Sequence, residues 1–412
     1  MAYLGPPPAR TPVTSAQITD ASVTAAKLAT DSVTTVKIAA SNVTTAKIAA
    51  ANVTAAKVSS NVAQLGTNLI TNGEFVVNQR GTATSPANNV YGGPDRWKNF
   101  QTTGGAVTIS QDVTGIFAAG GTDTALKIDV TTVDSSIAAG DRFVIVQAIE
   151  AQNLQNLNYG QATAKELTLS FWYRSPKSGT HYVALYQGDG NRYAWRAFTV
   201  TSADTAQYFS LTFAGDTGGT INNDTGVGML VYFPLMAGSN FEGGSDNTWA
   251  ANELYGAATI QNLLDNTSNN IYIGLVQLEI GDTASDFEHE PISVTLAKCQ
   301  RYFEKLDFSF TNGEPIGYGV AASTSSFLAG VPFRVAKRAA PSLASSAAAT
   351  FDVLYAGGAV AEVGAINSIT SGQYHLQFVG TSVAGSPLTD GASIILRRDA
   401  TDTTFITISA EL

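Results

Sequence analysis

Three histidines, one cysteine and 33 acidic residues are the side chains from which metal binding, nucleophilic attack or acid–base catalysis would have to be built. His181, His289 and His375 share no short spacing, so a histidine-held metal would need to be assembled by the fold. Cys299 stands alone, which excludes an intrachain disulfide and a cysteine-based structural zinc site. No G-x-S-x-G elbow, no G-x-x-x-x-G-K-[ST] phosphate loop and no H-E-x-x-H pair occurs. Gly317, Gly319 and Ala322 match G-x-G-x-x-A, but no βαβ context surrounds them. Retaining or inverting glycosidases need only two carboxylates at a set separation, and the acidic residues cannot be sorted by sequence. The expectation is therefore no enzyme and no cofactor, with a glycan depolymerase as the enzymatic alternative.

Sugar binding asks for something different: flat aromatic faces beside polar donors, because a pyranose offers both C–H faces and hydroxyls. Two strand-like runs joined at Asp189-Gly190 supply that combination. Residue parity puts Tyr182 and Tyr186 on one face and Val183 and Leu185 on the other, with Tyr193 and Trp195 sharing a face across the turn. Arg192 and Arg196 lie beside them. Tyr182, Tyr186, Arg192, Tyr193 and Trp195 are the glycan-binding candidates; the competing role for these rings is to fill a sandwich core. Trp97, Trp172 and Trp249 are assigned to the core. Asp189 or Glu74 would be the carboxylate for a structural calcium, although no D-x-[DN]-x-[DN]-G loop is present and the metal content stays open.

These residues must be held by elements that composition already narrows. Charged residues are only 14% of the 412, and a net charge of −10 leaves no basic footprint for a nucleic-acid partner. The longest apolar run, 227–237, contains Pro234 and is too short for a membrane span, so no membrane insertion is expected. Nine β-rich segments follow Gly66: 106–110, 126–130, 142–149, 166–173, 182–186, 193–200, 207–213, 227–233 and 271–280. Short segments with short connections indicate a β-sandwich. Asp189-Gly190 is read as the hairpin turn between the fifth and sixth, with glycine supplying positive φ.

Residues 11–60 repeat with a period of ten, from TPVTSAQITD to ANVTAAKVSS. Large apolar residues fall at Val13, Val23, Val33, Val43 and Val53, and at Ile18, Leu28, Ile38, Ile48 and Val58, always five apart. Five residues turn a helix by about 140° and reverse the face of a strand, so neither continuous element keeps them together. Each decapeptide must bend, with Thr24, Thr34, Thr44 and Thr54 as N-caps of single helical turns. Burying two such side chains yields roughly 3–6 kcal/mol, against about 10–20 kcal/mol for ordering ten residues. A lone chain does not hold this segment; it either winds with sister chains or stays an unstructured Ala/Thr-rich linker.

The V-T-x-A-K-I array resembles the shaft repeats of phage tail fibres and capsid fibres, a family that is typically trimeric. NLITNGEFVVNQRG (68–81) with PDRW (94–97), ELTLSFWYRS (166–175) and the run 262–291 are similar to the opening, central strand and exit of carbohydrate-binding-module jelly rolls of phage tail proteins. LAKCQRYFEK (296–305) resembles the helix that commonly follows, with Ser293 as its N-cap and Leu296, Cys299, Phe303 and Leu306 as its apolar stripe.

The resulting fold class is mainly β: a repetitive oligomeric stalk of short helical turns, a jelly-roll β-sandwich, a short helix and a smaller C-terminal all-β domain. The segments are 1–12 for attachment, 13–66 for the stalk, 67–291 for the jelly roll, 292–306 for the helix and 307–412 for the last domain. Strands are expected there at 308–310, 316–320, 327–335, 351–355, 374–379, 394–398 and 405–408. The resemblance implies a virion location, a homotrimer, other virion proteins bound through the N-terminus, and a host-surface glycan or receptor as target. A tail fibre is the first reading and a capsid-attached head fibre the second.

Overall fold

The computed structural model describes Thr24 and residues 68–258, 260–307, 314–383, 387–399 and 404–412. The stalk array (Thr24 apart), the N-terminal attachment segment and the strand expected at 308–310 lie outside the described residues. Residues 63–412 form one compact unit.

Twelve strands build a two-sheet sandwich: β1 (Ala83–Thr84), β2 (Val90–Tyr91), β3 (Trp97–Thr102), β4 (Ala106–Asp112), β5 (Ala125–Thr132), β6 (Arg142–Glu150), β7 (Leu167–Arg174), β8 (Gly179–Gln187), β9 (Arg192–Val200), β10 (Gln207–Phe213), β11 (Val227–Ala237) and β12 (Asn270–Ile280). Sheet one runs β1-β4-β5-β12-β7-β10 and sheet two β2-β3-β6-β11-β8-β9, with antiparallel neighbours. All nine expected segments are strands. Period-2 alternation explains the inner core: Leu167, Leu169, Phe171 and Tyr173 of β7 face Val183, Leu185 and Val231 of sheet two. Pro234 does not end β11; its missing donor is absorbed at a register shift between Pro234 and Met236, and the strand continues to Ala237. Asn68 ties the first described residues to the exit of β12, its side chain accepting from the Leu278 amide and its own amide donating to Glu288.

The helix is shorter than expected. α1 covers Ile292–Gln300 and starts from Pro291, whose carbonyl accepts from the Val294 and Thr295 amides, so Ser293 is not the cap. It stops before Phe303 because residues 303–307 join a sheet instead. There β13 (Phe303–Asp307) pairs along its whole length with the last strand, and ladder bonds with burial of Phe303 and Leu306 outweigh local helix propensity. Cys299 is a buried free thiol, pushed up by burial.

After β13 come β14 (Pro315–Ala321), β15 (Ser326–Pro332), β16 (Ser342–Ser345), β17 (Phe351–Tyr355), β18 (Ala359–Ser371), β19 (His375–Ser382), β20 (Ser393–Arg398) and β21 (Phe405–Ser409). Six of them close a barrel in the order β14-β15-β19-β18-β17-β20, and β13-β21-β16 form a three-stranded sheet sharing its core. β18, the longest strand, has no counterpart among the expected segments because two register shifts break its period-2 pattern.

Barrel and sandwich meet at a buried ionic seam. Arg301 makes two bonds of 2.7 and 2.9 Å to the fully buried Glu150. Arg96, also buried, pairs with Glu411 and lies 3.5 Å from the centre of the Tyr302 ring. Arg338 donates to the carbonyls of Thr225, Ala410 and Glu411.

Candidate functional site

The β8–β9 hairpin has the expected pairing, with Gln187 opposite Arg192 and four residues between. Its left-handed residue is Asn191, at φ 48°, and not Gly190. Glycine is required at 190 for another reason: a Cβ there would come within 2.0 Å of the Gln187 side-chain oxygen.

Parity brings the candidate aromatics together as expected. Tyr186 stacks on Tyr193 at 4.3 Å between centroids, and Tyr182 meets Trp195 edge-on at 5.5 Å. They lie on the outer face of sheet two, and that face is covered. The 238–258 segment crosses it, with Tyr193 exchanging backbone bonds with Ala250 and the Trp195 indole donating to the Gly243 carbonyl. Gly256 sits so close that a Cβ would be 2.5 Å from the Tyr182 ring. Tyr182, Tyr193 and Trp195 are therefore only 6–8% exposed, in a secondary core with Tyr232 and Tyr255. Burial pushes the Tyr182, Tyr186 and Tyr193 hydroxyls up. Arg192 is engaged with the buried Asp216 at 2.8–2.9 Å and with the Trp249 carbonyl, and Arg196 pairs with Asp246 at 3.2 Å. Of the five candidates, Tyr186 keeps a half-exposed ring and Arg192 a partly exposed side chain.

The possible calcium carboxylates are apart and occupied. Asp189 accepts two bonds from Asn222, and Glu74 lies 3.3 Å from His289. Among the described residues no group of three His, Cys, Asp or Glu side chains is placed to hold a metal ion. His181 is buried, with its Nε2 3.0 Å from the Lys177 carbonyl; His375 is exposed on the barrel.

An open aromatic edge exists on the other sheet. Register places Tyr208 of β10 opposite Trp172 of β7, and Trp172 opposite Gly274 of β12. All point outward, since Phe171 and Tyr173 point inward. Tyr208 is 49% exposed, and the two ring centroids are 6.1 Å apart with planes tilted by 56°. Phe117 supports the far side of Trp172, also at 6.1 Å, and a Cβ on Gly120 would strike the indole at 2.6 Å. Beside this row run Ser210–Ser170–Gln277 and Thr212–Thr168–Glu279. Glu279 accepts from Gln277 and from Ser285, which fastens the exit segment over these polar rows. On the other side Arg174 lies 5.0 Å from the centre of the Tyr272 ring. Trp172 is half-buried on the outer face and packs on a small buried cluster of Phe117, Ala125 and Tyr272 and not in the main core, while Trp97 is 1% exposed within that core and Trp249 packs against its edge. Parity in FWYR and QYFSLTF carried the signal: alternate residues of both strands are large and apolar, which forces Trp172 and Tyr208 to the opposite face.

No protein-family model matches the chain, and no curated protein matches it. Solved structures do. A bacteriophage CBA120 tailspike domain is 12% identical with a TM-score of 0.27, covering 52% of this chain and 21% of its own, so this chain spans about a fifth of that protein. A family 11 carbohydrate-binding module of a Clostridium thermocellum cellulosomal cellulase is 14% identical with a TM-score of 0.24, covering 48% of this chain and 95% of the module. A sugar-binding protein described as such from Bacteroides thetaiotaomicron is 14% identical with a TM-score of 0.29, covering 52% of this chain and 99% of its own. Likenesses at these TM-scores carry no argument; the sandwich rests on its own strand order.

Proposed function

We propose that this chain is a non-enzymatic, glycan-binding subunit of a phage fibre, located on the virion and self-associated through its decapeptide stalk. The observation that carries the binding reading is the Trp172–Tyr208 edge. It sets two tilted rings at a solvent-facing strand pair, next to the exposed Ser210 and the cationic Arg174. Such an edge suits a hydroxyl-rich ring with apolar faces: the indole and phenol cover C–H groups while neighbouring polar atoms meet hydroxyls. Of the carboxylates beside this edge, Glu279 is 7% exposed and holds the exit segment, and Asp204 pairs with Arg174 at 3.4 Å.

The fibre part of the reading rests on the decapeptides and their energetic deficit as single chains. Their length, linear repeat and lack of lateral bulk favour chains wound together. A tail position is preferred over a head position because a distal sandwich and barrel suit contact with a host surface.

The test uses the full chain against an array of bacterial surface polysaccharides. We expect at least one to bind, and Tyr208→Ala and Trp172→Ala each to weaken binding by about tenfold. Tyr208 is half exposed, so its removal leaves the core intact and isolates the binding effect. Binding unchanged in both variants, or absent from the wild-type chain across the array, would overturn the proposal.

A further inference from the structure

The barrel strands contain five glycines, and four are explained by packing. A Cβ on Gly317 would come within 2.6 Å of the Gly330 carbonyl oxygen, and one on Gly319 within 1.7 Å of the Leu328 oxygen. On Gly380 it would meet the Phe327 ring at 2.6 Å, and on Gly364 the Val383 backbone at 3.2 Å. Gly330 is different. Its φ lies outside the left-handed region, it is exposed, and a Cβ added there would have the Tyr318 carbonyl oxygen, 3.9 Å away, as its nearest neighbour. Glycine in a strand interior marks a bulge, a tight bend or close approach by a ligand or another backbone, and Gly330 pairs without a register shift on both sides, which leaves close approach.

What approaches is indicated by the surroundings. Register aligns Tyr318 of β14, Gly330 of β15, Gln377 of β19 and Thr370 of β18 in one row across the outer face of the barrel. Tyr318 and Gln377 thus stand two interstrand spacings apart, about 9.5 Å, with no side chain between them. An open groove of about 460 Å³ runs over Gly330 towards Gln377, lined among others by Val320, Leu328, Gly330, Thr370, His375 and Gln377. That falls within the range of roughly 300–1,000 Å³ typical of small-molecule sites. Among the described residues no Lys, Arg, Asp or Glu lines it. The Thr370, His375 and Gln377 side chains make no hydrogen bond to another described residue, and the Tyr318 side chain is 66% exposed.

We propose that this groove is a second saccharide subsite, for an uncharged pyranoside seated over Gly330 against the Val320 and Leu328 side chains, with Gln377, Thr370 and His375 meeting its hydroxyls. An amide, a hydroxyl and an imidazole beside an aliphatic wall, with no Lys or Arg in the lining, are the chemistry of a neutral sugar and not of a phosphate or a carboxylate. The proposal rests on the glycan-binding reading and adds a site on a separate module.

The experiment presents the full chain with methyl glycosides of glucose, galactose, mannose and N-acetylglucosamine, read by saturation-transfer NMR and then by titration. At least one glycoside should bind. Gly330→Leu should abolish the barrel-dependent binding by filling the slot, Gly330→Ala should weaken it, and Gln377→Ala should weaken it about tenfold. Melting of the Gly330→Ala protein should match or exceed wild type, because the added Cβ meets open space. Trp172→Ala separates the two sites: glycoside binding lost there but kept in Gly330→Leu overturns the barrel subsite and leaves the sandwich reading standing. Binding lost in Gly330→Leu but kept in Trp172→Ala supports the subsite and counts against the sandwich edge. No glycoside binding, or binding indifferent to Gly330→Leu and Gln377→Ala, overturns the inference.

Discussion

Replacing Glu411 with glutamine keeps the shape of the side chain and removes one charge from the seam between sandwich and barrel. Two guanidinium groups then lose their shared carboxylate: Arg96, 1% exposed, and Arg80, which donates to Glu411 at 3.0 Å. The nearest remaining carboxylate is Asp95, 3.9 Å from Arg80. Unit charges about 4 Å apart at an effective dielectric of about 20 interact by about 4 kcal/mol. Breaking a buried pair by removing one partner costs about 3–5 kcal/mol, so the two routes agree. The amide of Ala410, bonded to the Tyr302 carbonyl at 2.7 Å, reports whether the C-terminal segment stays docked. Hydrogen exchange at Ala410 should accelerate by about a hundredfold to a thousandfold in Glu411→Gln, because opening of the seam becomes that much less unfavourable. Adding Arg96→Met should recover part of the loss, since the stranded charge is then gone. All four tryptophans lie in the sandwich, so their fluorescence checks that this module remains folded. Less than about a threefold change in exchange would refute the assignment of this pair as a buried clamp.

Burial pushes the Lys98 amine down to about 8, with Glu411 opposing the shift. Between about pH 8 and pH 10 the unfolded chain holds a proton on this lysine that the folded chain has released, so stability rises with pH relative to Lys98→Met, by about 2 kcal/mol. Above about pH 10 the trend reverses in both proteins, because Tyr91 and Tyr302, raised by burial, stay protonated only when folded. Urea midpoints followed by tryptophan fluorescence read this, and parallel curves for the two proteins would sink it. In the stalk, Ile38→Asp combined with Ile48→Asp places unpaired carboxylates where the repeat calls for burial, at several kcal/mol each. The wild-type chain should sediment as a trimer and the variant should dissociate with its sandwich intact; a wild-type monomer would end the self-association proposal.

Nine of the twelve sandwich strands were legible in the sequence, as period-2 alternation in β7 and β10 or as continuous apolar β-rich runs in β6, β11 and β12, both local properties that survive any topology; β1, β2 and β3 were not. Parity likewise sends Trp172 and Tyr208 to the outer face, whereas the small buried cluster of Phe117, Ala125 and Tyr272 on which Trp172 packs is assembled from three separate segments. Three things were decided by tertiary structure. The chain from Phe303 to Leu306 reads as helix because Cys299, Phe303 and Leu306 keep helical spacing, yet it is a strand because β21, about a hundred residues later, offers a ladder. The hairpin aromatics form the cluster that their spacing implies, but whether that cluster faces sugar or protein depended on the 238–258 segment, whose Gly256 presses on Tyr182. The barrel closes by pairing β14 with β20, and within it the long-range pairing of β15 with β19 sets Tyr318, Gly330, Gln377 and Thr370 in one row. Side-chain parity is fixed by consecutive backbone geometry and can be read along the chain, whereas cover and closure depend on contacts between segments far apart in sequence, whose competing free energies no local pattern encodes.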